Sequence, residues 1–265
     1  MSEKTKLILC GCLGRMGTAI TNMVSGTGDM EIVMGIDALQ PAMPLPYPVY
    51  DNINQHPVPA DVIVSYLPPT ESGLTDTLAL LEFSAAKNIP LVICTTGLPA
   101  DIVNAIEQAL KKTAIFYSGN MSLGINVLAN ILTNVSRLLY ESNFDIELIE
   151  KHHNKKLDAP SGTAVMLLDA IKKAVDIPLN TVTDRSGTLA QRARNEIGVS
   201  ALRGGNIIGE HSVIFAGQNE LIEITHSAQS RDVFAEGTLK AAKFIRGKPP
   251  GLYNMQNLIN DAISS

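Results

Sequence analysis

Residues 7–37 read LILCGCLGRMGTAITNMVSGTGDMEIVMGID. Leu7-Ile8-Leu9-Cys10 is an unbroken apolar run, as expected of a parallel strand buried on both faces. It runs straight into Gly11-Cys12-Leu13-Gly14-Arg15-Met16-Gly17, and from there Met16, Ala19, Ile20, Met23 and Val24 share one helical face. Gly26 and Gly28 end that helix. A second strand over residues 31–36 then closes on Asp37, 20 positions beyond the last glycine of the turn. Strand, glycine turn, helix, strand and acidic residue is the order of a dinucleotide-binding unit. The glycines permit the tight turn and let a pyrophosphate approach the helix N-terminus, where Arg15 and Met16 begin the helix. Asp37 is placed to accept hydrogen bonds from ribose hydroxyls. The spacing is G-x-x-G-x-x-G, not the commoner G-x-G-x-x-G, so the surrounding elements carry the reading; the alternative is a non-binding turn of another α/β protein. Ala38 and Leu39 offer no cation to a 2'-phosphate, which favours NADH over NADPH.

The strand and helix alternation continues outward from this unit. Residues 40–60 are proline-rich, contain His56, and read as a surface connection. Strands over 61–67, 90–95 and 114–117 alternate with helices over 71–87 and 99–112. Loops at the carboxyl ends of such strands face the ligand crevice, so Thr95, Thr96, Gly97 and Asn120 are candidates for the nicotinamide end, with plain turn formation as the alternative. An amphipathic helix over 124–140 carries the chain out of this first domain. Later segments at 199–202, 209–216 and 221–228 read as strands of an antiparallel or mixed sheet, the last two joined by a hairpin turn at Gly217-Gln218-Asn219. Helices over 234–246 and 252–263, divided by Lys248-Pro249-Pro250-Gly251, are expected to return to the first domain.

A second stretch, ELIEKHHNKKLDAPSGTA at 147–164, concentrates chemistry. Phe144, Ile146 and Leu148 alternate with polar neighbours, as a half-buried strand does, and the strand then enters a charged loop. Lys151, His152, His153, Lys155 and Lys156 put five potential cations into six residues of a chain whose net charge is -5. After Asp158-Ala159-Pro160, Ser161 is a good N-cap for a helix with Ala164, Leu167, Leu168, Ile171 and Val175 at apolar spacing. Ser161, Gly162 and Thr163 at the helix start can receive a carboxylate or phosphate, and the lysines and imidazoles can supply charge and a proton. The alternative is a solvated basic turn before an ordinary helix.

At 265 residues, 45% hydrophobic and 18% charged, the chain has the composition of a globular protein of one large domain or two modest ones. The opening MSEKTK lacks a signal-peptide pattern and no apolar run approaches the ~20 residues of a membrane span; no membrane association and a cytoplasmic location are expected. Cys10, Cys12 and Cys94 form no framework. A pI near 5.5 argues against nucleic acid. A zinc site from His152, His153, His211 and His226 has no ligand spacing behind it, so no metal is expected, and His211 and His226 read as satisfied strand histidines. Arg203-Gly204-Gly205-Asn206 and Arg231 either join a substrate site or shape turns.

HHNKKLDAPSGTA at 152–164 resembles the signature of the 4-hydroxy-tetrahydrodipicolinate reductase (dihydrodipicolinate reductase) family. GCLGRMG, CTTG at 94–97, SGNMSLGIN at 118–126, RGGNIIGEH at 203–211, ITHSAQSRDVFAEG at 224–237 and GLYNM follow in the family's order over nearly the full length. The resemblance implies an α/β protein. A Rossmann-type dinucleotide-binding domain would comprise 1–125 and 234–265, and an α+β substrate-binding and oligomerisation domain with a mixed open sheet would comprise 126–233. It also implies a homotetramer, NADH or NADPH as cofactor, and reduction of a cyclic dicarboxylic imine or enamine to tetrahydrodipicolinate in lysine biosynthesis. On the matching positions, His152 and Lys156 are the implied proton donors. His153, Lys156, Ser161, Gly162 and Thr163 are the implied holders of the substrate carboxylates, and Gly11, Gly14, Arg15, Met16, Gly17, Asp37, Thr95, Thr96, Gly97 and Asn120 line the cofactor. Ser65-Tyr66-Leu67 departs from the Asp-Phe-Ser or Asp-Phe-Thr segment commoner in the family, no arginine follows Asp37, and the connection at 40–60 is short.

Overall fold

A computed structural model describes residues 3–55, 58–187 and 189–264; His56 lies outside the described residues. The chain forms two compact units, Met1–Ser122 with Asp232–Ser265, and Leu123–Arg231.

In the first unit β1 (Thr5–Cys10) leads through the glycine turn into α1 (Arg15–Gly26), then β2 (Met30–Ile36), β3 (Val49–Tyr50), β4 (Val62–Ser65), α2 (Glu71–Lys87), β5 (Leu91–Ile93), α3 (Ala100–Ala109) and β6 (Ala114–Tyr117). The second unit comprises α4 (Leu123–Glu141), β7 (Asp145–His152), α5 (Gly162–Val175), β8 (Asn180–Val182), β9 (Glu196–Arg203), β10 (Gly209–Ala216) and β11 (Leu221–Ala228). The chain then returns to the first unit with α6 (Asp232–Ile245), β12 (Gly251–Tyr253) and α7 (Met255–Ser264).

The first sheet has the order β12-β6-β5-β4-β1-β2-β3, with parallel pairing throughout. From β1 the chain builds outward to β2 and β3, then crosses to β4 on the other flank, so the Rossmann switch point lies between β1 and β4. Helices cover both faces of such a sheet, which is why Leu7, Ile8, Leu9 and Cys10 have no exposed surface. Each fully buried aliphatic side chain of this core contributes about 1.5–3 kcal/mol.

Three elements differ from the sequence expectation. Residues 40–60 are not merely a surface connection: Tyr47 and Ile53 are buried, Tyr47 Oη lies 2.6 Å from Thr21 Oγ1, and β3 pairs with β2. Leu252 and Tyr253 belong to β12, beside β6, and the last helix starts only at Met255. The strand read at 199–202 spans Glu196–Arg203 and pairs with the three-residue β8.

The second sheet is mixed, in the order β11-β10-β7-β9-β8, with β7 antiparallel to β10 and parallel to β9. Burial along β7 alternates strictly, placing Ile146, Leu148, Glu150 and His152 on the buried face. Ile146 and Leu148 pack there with Leu128 and Leu132 of α4 and Leu167 and Ile171 of α5. On the opposite face Arg192 reaches Asp145 at 2.7 Å and Glu147 at 3.1 Å, tying the loop after β8 across the strand. Among the described residues no helix is long and apolar enough to cross a membrane, and no group of three or more His, Cys, Asp or Glu is arranged to hold a metal.

Candidate functional site

At the switch point the glycine turn is pressed against backbone. A Cβ at Gly17 would lie 2.3 Å from the Gly11 carbonyl oxygen, and one at Gly11, whose φ is +74°, would lie 2.9 Å from the Tyr66 carbonyl oxygen. Only glycine fits either position. Gly14 caps α1 with no side chain, and the first turn carries no acid, so the helix start keeps the donors and the dipole that an anion needs. Asp37 is tied to this turn: Oδ2 accepts the Leu13 N–H at 2.9 Å and Oδ1 accepts the Leu39 N–H at 3.2 Å. Arg15 and Gly14 are exposed and Met16 is half-buried. These residues fit a dinucleotide, with its pyrophosphate at the start of α1 and a ribose at Asp37.

The other candidates at strand ends divide. Thr95 is buried, and its hydroxyl donates to the Leu67 carbonyl at 2.6 Å, stapling the ends of β4 and β5 together. Thr96 and Gly97, the latter at φ +69°, are exposed, and Asn120 accepts the Ser122 N–H at 2.8 Å. Tyr66, in the segment that departs from the family pattern, has a structural job. Its hydroxyl lies 2.5 Å from Thr238 Oγ1 on α6, with Cys94 Sγ 3.7 Å from the same oxygen. Burial pushes the Tyr66 phenol well up and the Cys94 thiol up to about 12, so this wall is uncharged.

In the second unit the cationic loop is more internally compensated than its composition suggests. Lys151 pairs with Glu210 across the β7–β10 ladder. His152 is not in the loop but ends β7, buried, with Nδ1 2.5 Å from Glu150 Oε2. His153 is half-buried; its Nδ1 accepts the Lys155 N–H at 3.2 Å and its carbonyl accepts the Lys156 N–H at 3.1 Å, closing a tight turn. Lys156 is half-buried, with Nζ 2.8 Å from Asp158 Oδ1. Lys155 is exposed.

Glu150, read from sequence as one of the polar residues alternating with the apolar ones, is the centre of this region. It has no exposed surface. Oε1 accepts the Ser161 N–H at 3.0 Å and Arg203 Nη2 at 2.8 Å, while Oε2 accepts Arg203 Nη1 at 2.8 Å and faces His152. Burial alone would raise its pKa, but the hydrogen bonds from Arg203, His152 and Ser161 outweigh it and hold the carboxyl below the usual range. Arg203 also donates to the Asp158 carbonyl at 2.6 Å, the Gly204 N–H to the His152 carbonyl at 2.9 Å, and the Asn154 N–H to the Gly205 carbonyl at 3.2 Å. The Arg203-Gly204-Gly205 turn thus clasps the cationic loop.

Ser161 is the N-cap of α5: its hydroxyl accepts the Ala164 N–H at 3.1 Å and lies 3.0 Å from His211 Nε2. With its N–H given to Glu150, Ser161 frames the helix start, where Gly162 is exposed and Thr163 half-buried. In the loop before it, the hydrogen bond from Lys156 is the largest cause that holds the Asp158 carboxyl below the usual range. That loop thus already holds one carboxylate of the chain's own, 2.8 Å from Lys156 Nζ. Contrary to expectation, His211 and His226 are not fully satisfied, since each buries an Nδ1 without a partner among the described residues. Burial, with lesser repulsion from His152, depresses the His211 pKa to about 4, so it is neutral.

A parallel sheet with a glycine turn at its switch point, followed along the chain by a mixed-sheet unit with a cation-rich loop, is the build of a two-domain dinucleotide-dependent enzyme. Residues 5–121 match the family model for the N-terminus of dihydrodipicolinate reductase, and residues 124–259 match the model for its C-terminus. The 4-hydroxy-tetrahydrodipicolinate reductase of Clostridium tetani (strain Massachusetts / E88) is 46% identical over 255 residues, covering 96% of this chain and 97% of that protein. That of Staphylococcus carnosus (strain TM300) is 41% identical over 255 residues, covering 96% and 100%. The dipicolinate-bound dihydrodipicolinate reductase from Paenisporosarcina sp. TG-14 has the same fold, with a TM-score of 0.74 at 20% identity over 95% of this chain and 97% of that one. The chain belongs to the dihydrodipicolinate reductase family.

Proposed function

We propose that this protein reduces 4-hydroxy-tetrahydrodipicolinate to tetrahydrodipicolinate with NAD(P)H, the reductive step of the diaminopimelate route to lysine. The observation that carries the reading is the ion pair between Lys156 and the chain's own Asp158 carboxylate, 2.8 Å apart in the cationic loop that leads into α5. A cyclic dicarboxylate offers a carboxylate of the same kind. In this reading His153, Lys156, Ser161, Gly162 and Thr163 form the carboxylate site. Lys156 is the first choice of proton donor, and His152, with Nδ1 committed to Glu150, presents Nε2 as the second. Gly11, Gly14, Arg15, Met16, Gly17, Asp37, Thr95, Thr96, Gly97 and Asn120 would hold the reduced dinucleotide, which would supply the hydride. A donor in the carboxylate loop provides the proton that must accompany hydride addition if no carbanion is to persist. Asp37 without a following cation supports NADH as the preferred cofactor. The expected state is a cytoplasmic homotetramer; Leu202 and Leu221, 47% and 61% exposed opposite Lys151 and Ala216 on the open face of the mixed sheet, support assembly there.

The test couples the upstream synthase to oxidation of NADH and NADPH, followed separately. Wild type is expected to turn over, and Lys156→Ala to lose about 10²–10⁴-fold in kcat/KM while still binding cofactor. Tight cofactor binding without turnover of this substrate by the wild type would refute the assignment.

A further inference from the structure

Glu150 belongs to no role considered so far. It is wholly buried and receives four donors from three segments: His152 on its own strand, both terminal nitrogens of Arg203 at the end of β9, and the Ser161 N–H at the N-cap of α5. A carboxylate has about four lone-pair sites, so its capacity is filled. Each donor fixes something different. The contact to His152 Nδ1 leaves Nε2 as the nitrogen free to exchange a proton. Gly209 lies against that nitrogen, where a Cβ would stand 3.1 Å from it. The contact to Ser161 sets the N-cap of α5, and the Ser161 hydroxyl, 3.0 Å from His211 Nε2, is thereby fixed against β10. Arg203 completes the frame by also holding the backbone carbonyl of Asp158, the residue whose side chain pairs with Lys156.

We propose that Glu150, clamped by Arg203, is the positioning residue that locks the His152 ring and the N-terminus of α5 into one geometry. It acts through His152 and Ser161 and touches no substrate. The proposal rests on the carboxylate-site reading above and goes beyond it. It assigns the orientation of both halves of that site to one buried carboxylate.

The test is Glu150→Gln, whose amide brings N–H donors to a place where four donors already converge. It is expected to lower kcat about 10–100-fold, in the range typical of residues that orient an active group from behind, and to weaken dipicolinate binding, with NADH affinity unchanged. In a His152→Ala background the same substitution is expected to change kcat less than about threefold, because residues acting as a unit are not additive. Equal losses in both backgrounds, or an unchanged kcat, would overturn the proposal in favour of a purely structural ion pair. Should Glu150→Gln fail to fold, Glu150→Asp keeps the charge, shortens the reach and enters the same cycle. A readout independent of turnover is the Nδ1-bound proton of His152 in ¹⁵N-histidine NMR, expected as a hydrogen-bonded resonance in wild type and lost in the variant. Its absence from wild type overturns the inference even where turnover is normal. Its presence in a protein that does not turn over this substrate leaves the inference standing and refutes only the assigned reaction.

Discussion

Acid should loosen the second unit through one histidine. Among the described residues His211 buries Nδ1 with no hydrogen-bond partner, so protonation would place a charge and an unpaired N–H in the interior. Burial is the largest cause of its depressed pKa; His152, His226 and Lys156 add repulsion, and Glu150 opposes it. The folded value of about 4 lies below the ordinary 6.5, so between those two pH values the unfolded chain binds a proton that the folded chain refuses. Stability from this group is complete above pH 6.5, falls as pH drops towards 4, and is constant below. At about 1.4 kcal/mol per pH unit, the loss comes to about 3 kcal/mol. His211→Gln keeps a nitrogen for Ser161 and cannot titrate. Urea unfolding of both proteins at one protein concentration, from pH 7.5 to 4, isolates the effect as a difference in unfolding free energy. The wild-type advantage is expected to shrink by about 3 kcal/mol over that range. A difference that stays flat within about 0.5 kcal/mol, or grows in acid, would show that His211 takes up its proton at the ordinary pH and that the buried Nδ1 has found an acceptor.

Two further outcomes follow from single contacts. Asp37→Ala removes the acceptor of the Leu13 and Leu39 N–H groups along with the proposed ribose partner, and should raise the KM for NADH about tenfold and that for NADPH by less; equal losses for both would remove Asp37 from cofactor choice. Asp158→Asn takes away the carboxylate that occupies Lys156, so dipicolinate should bind about threefold more tightly by calorimetry. The helix end should lose about 0.5–1 kcal/mol, seen as a slightly lower Tm. Weaker dipicolinate binding in that variant would mean that Asp158 helps to hold the ligand and does not compete with it.

The Rossmann unit was legible because its evidence is local and repeated. Apolar runs of the right length, glycines at a strand end and Asp37 at the next strand end each state the same answer. What escaped is short or non-local. β3, β8 and β12 have two or three residues each, too few to show a period, and they exist because a neighbouring strand offers them an edge. In the candidate site, Lys156 was singled out by the family resemblance, whereas the cationic run 151–156 and the start of α5 stood out from charge and capping alone. Glu150 did not, although the signal was present: it lies two residues beyond Leu148 and two before His152, in phase with the apolar face of β7. A carboxylate in phase with core residues needs buried partners, and the period of two would have asked for them. Arg203 could not have been found this way, because its contact with Glu150 depends on parallel pairing of β7 with β9 across a long sequence gap. The expected satisfaction of His211 failed for a like reason, since only the three-dimensional neighbourhood shows that nothing faces its Nδ1.

The first unit is built from two separated pieces of chain, and the second lies wholly between them. On the ribosome this nesting sets an order of events. The mixed sheet has all its strands once Arg231 has emerged, whereas the parallel sheet at that moment still lacks α6 and β12. Its earlier portion must wait with one flank of the sheet uncovered, at the surfaces where Ala241, Ala242 and Ile245 will be buried. A premature stop anywhere between the two units' last boundary and β12 would release a chain with its carboxylate loop intact and its nucleotide sheet unfinished. Such a fragment is a natural substrate for chaperones and proteases.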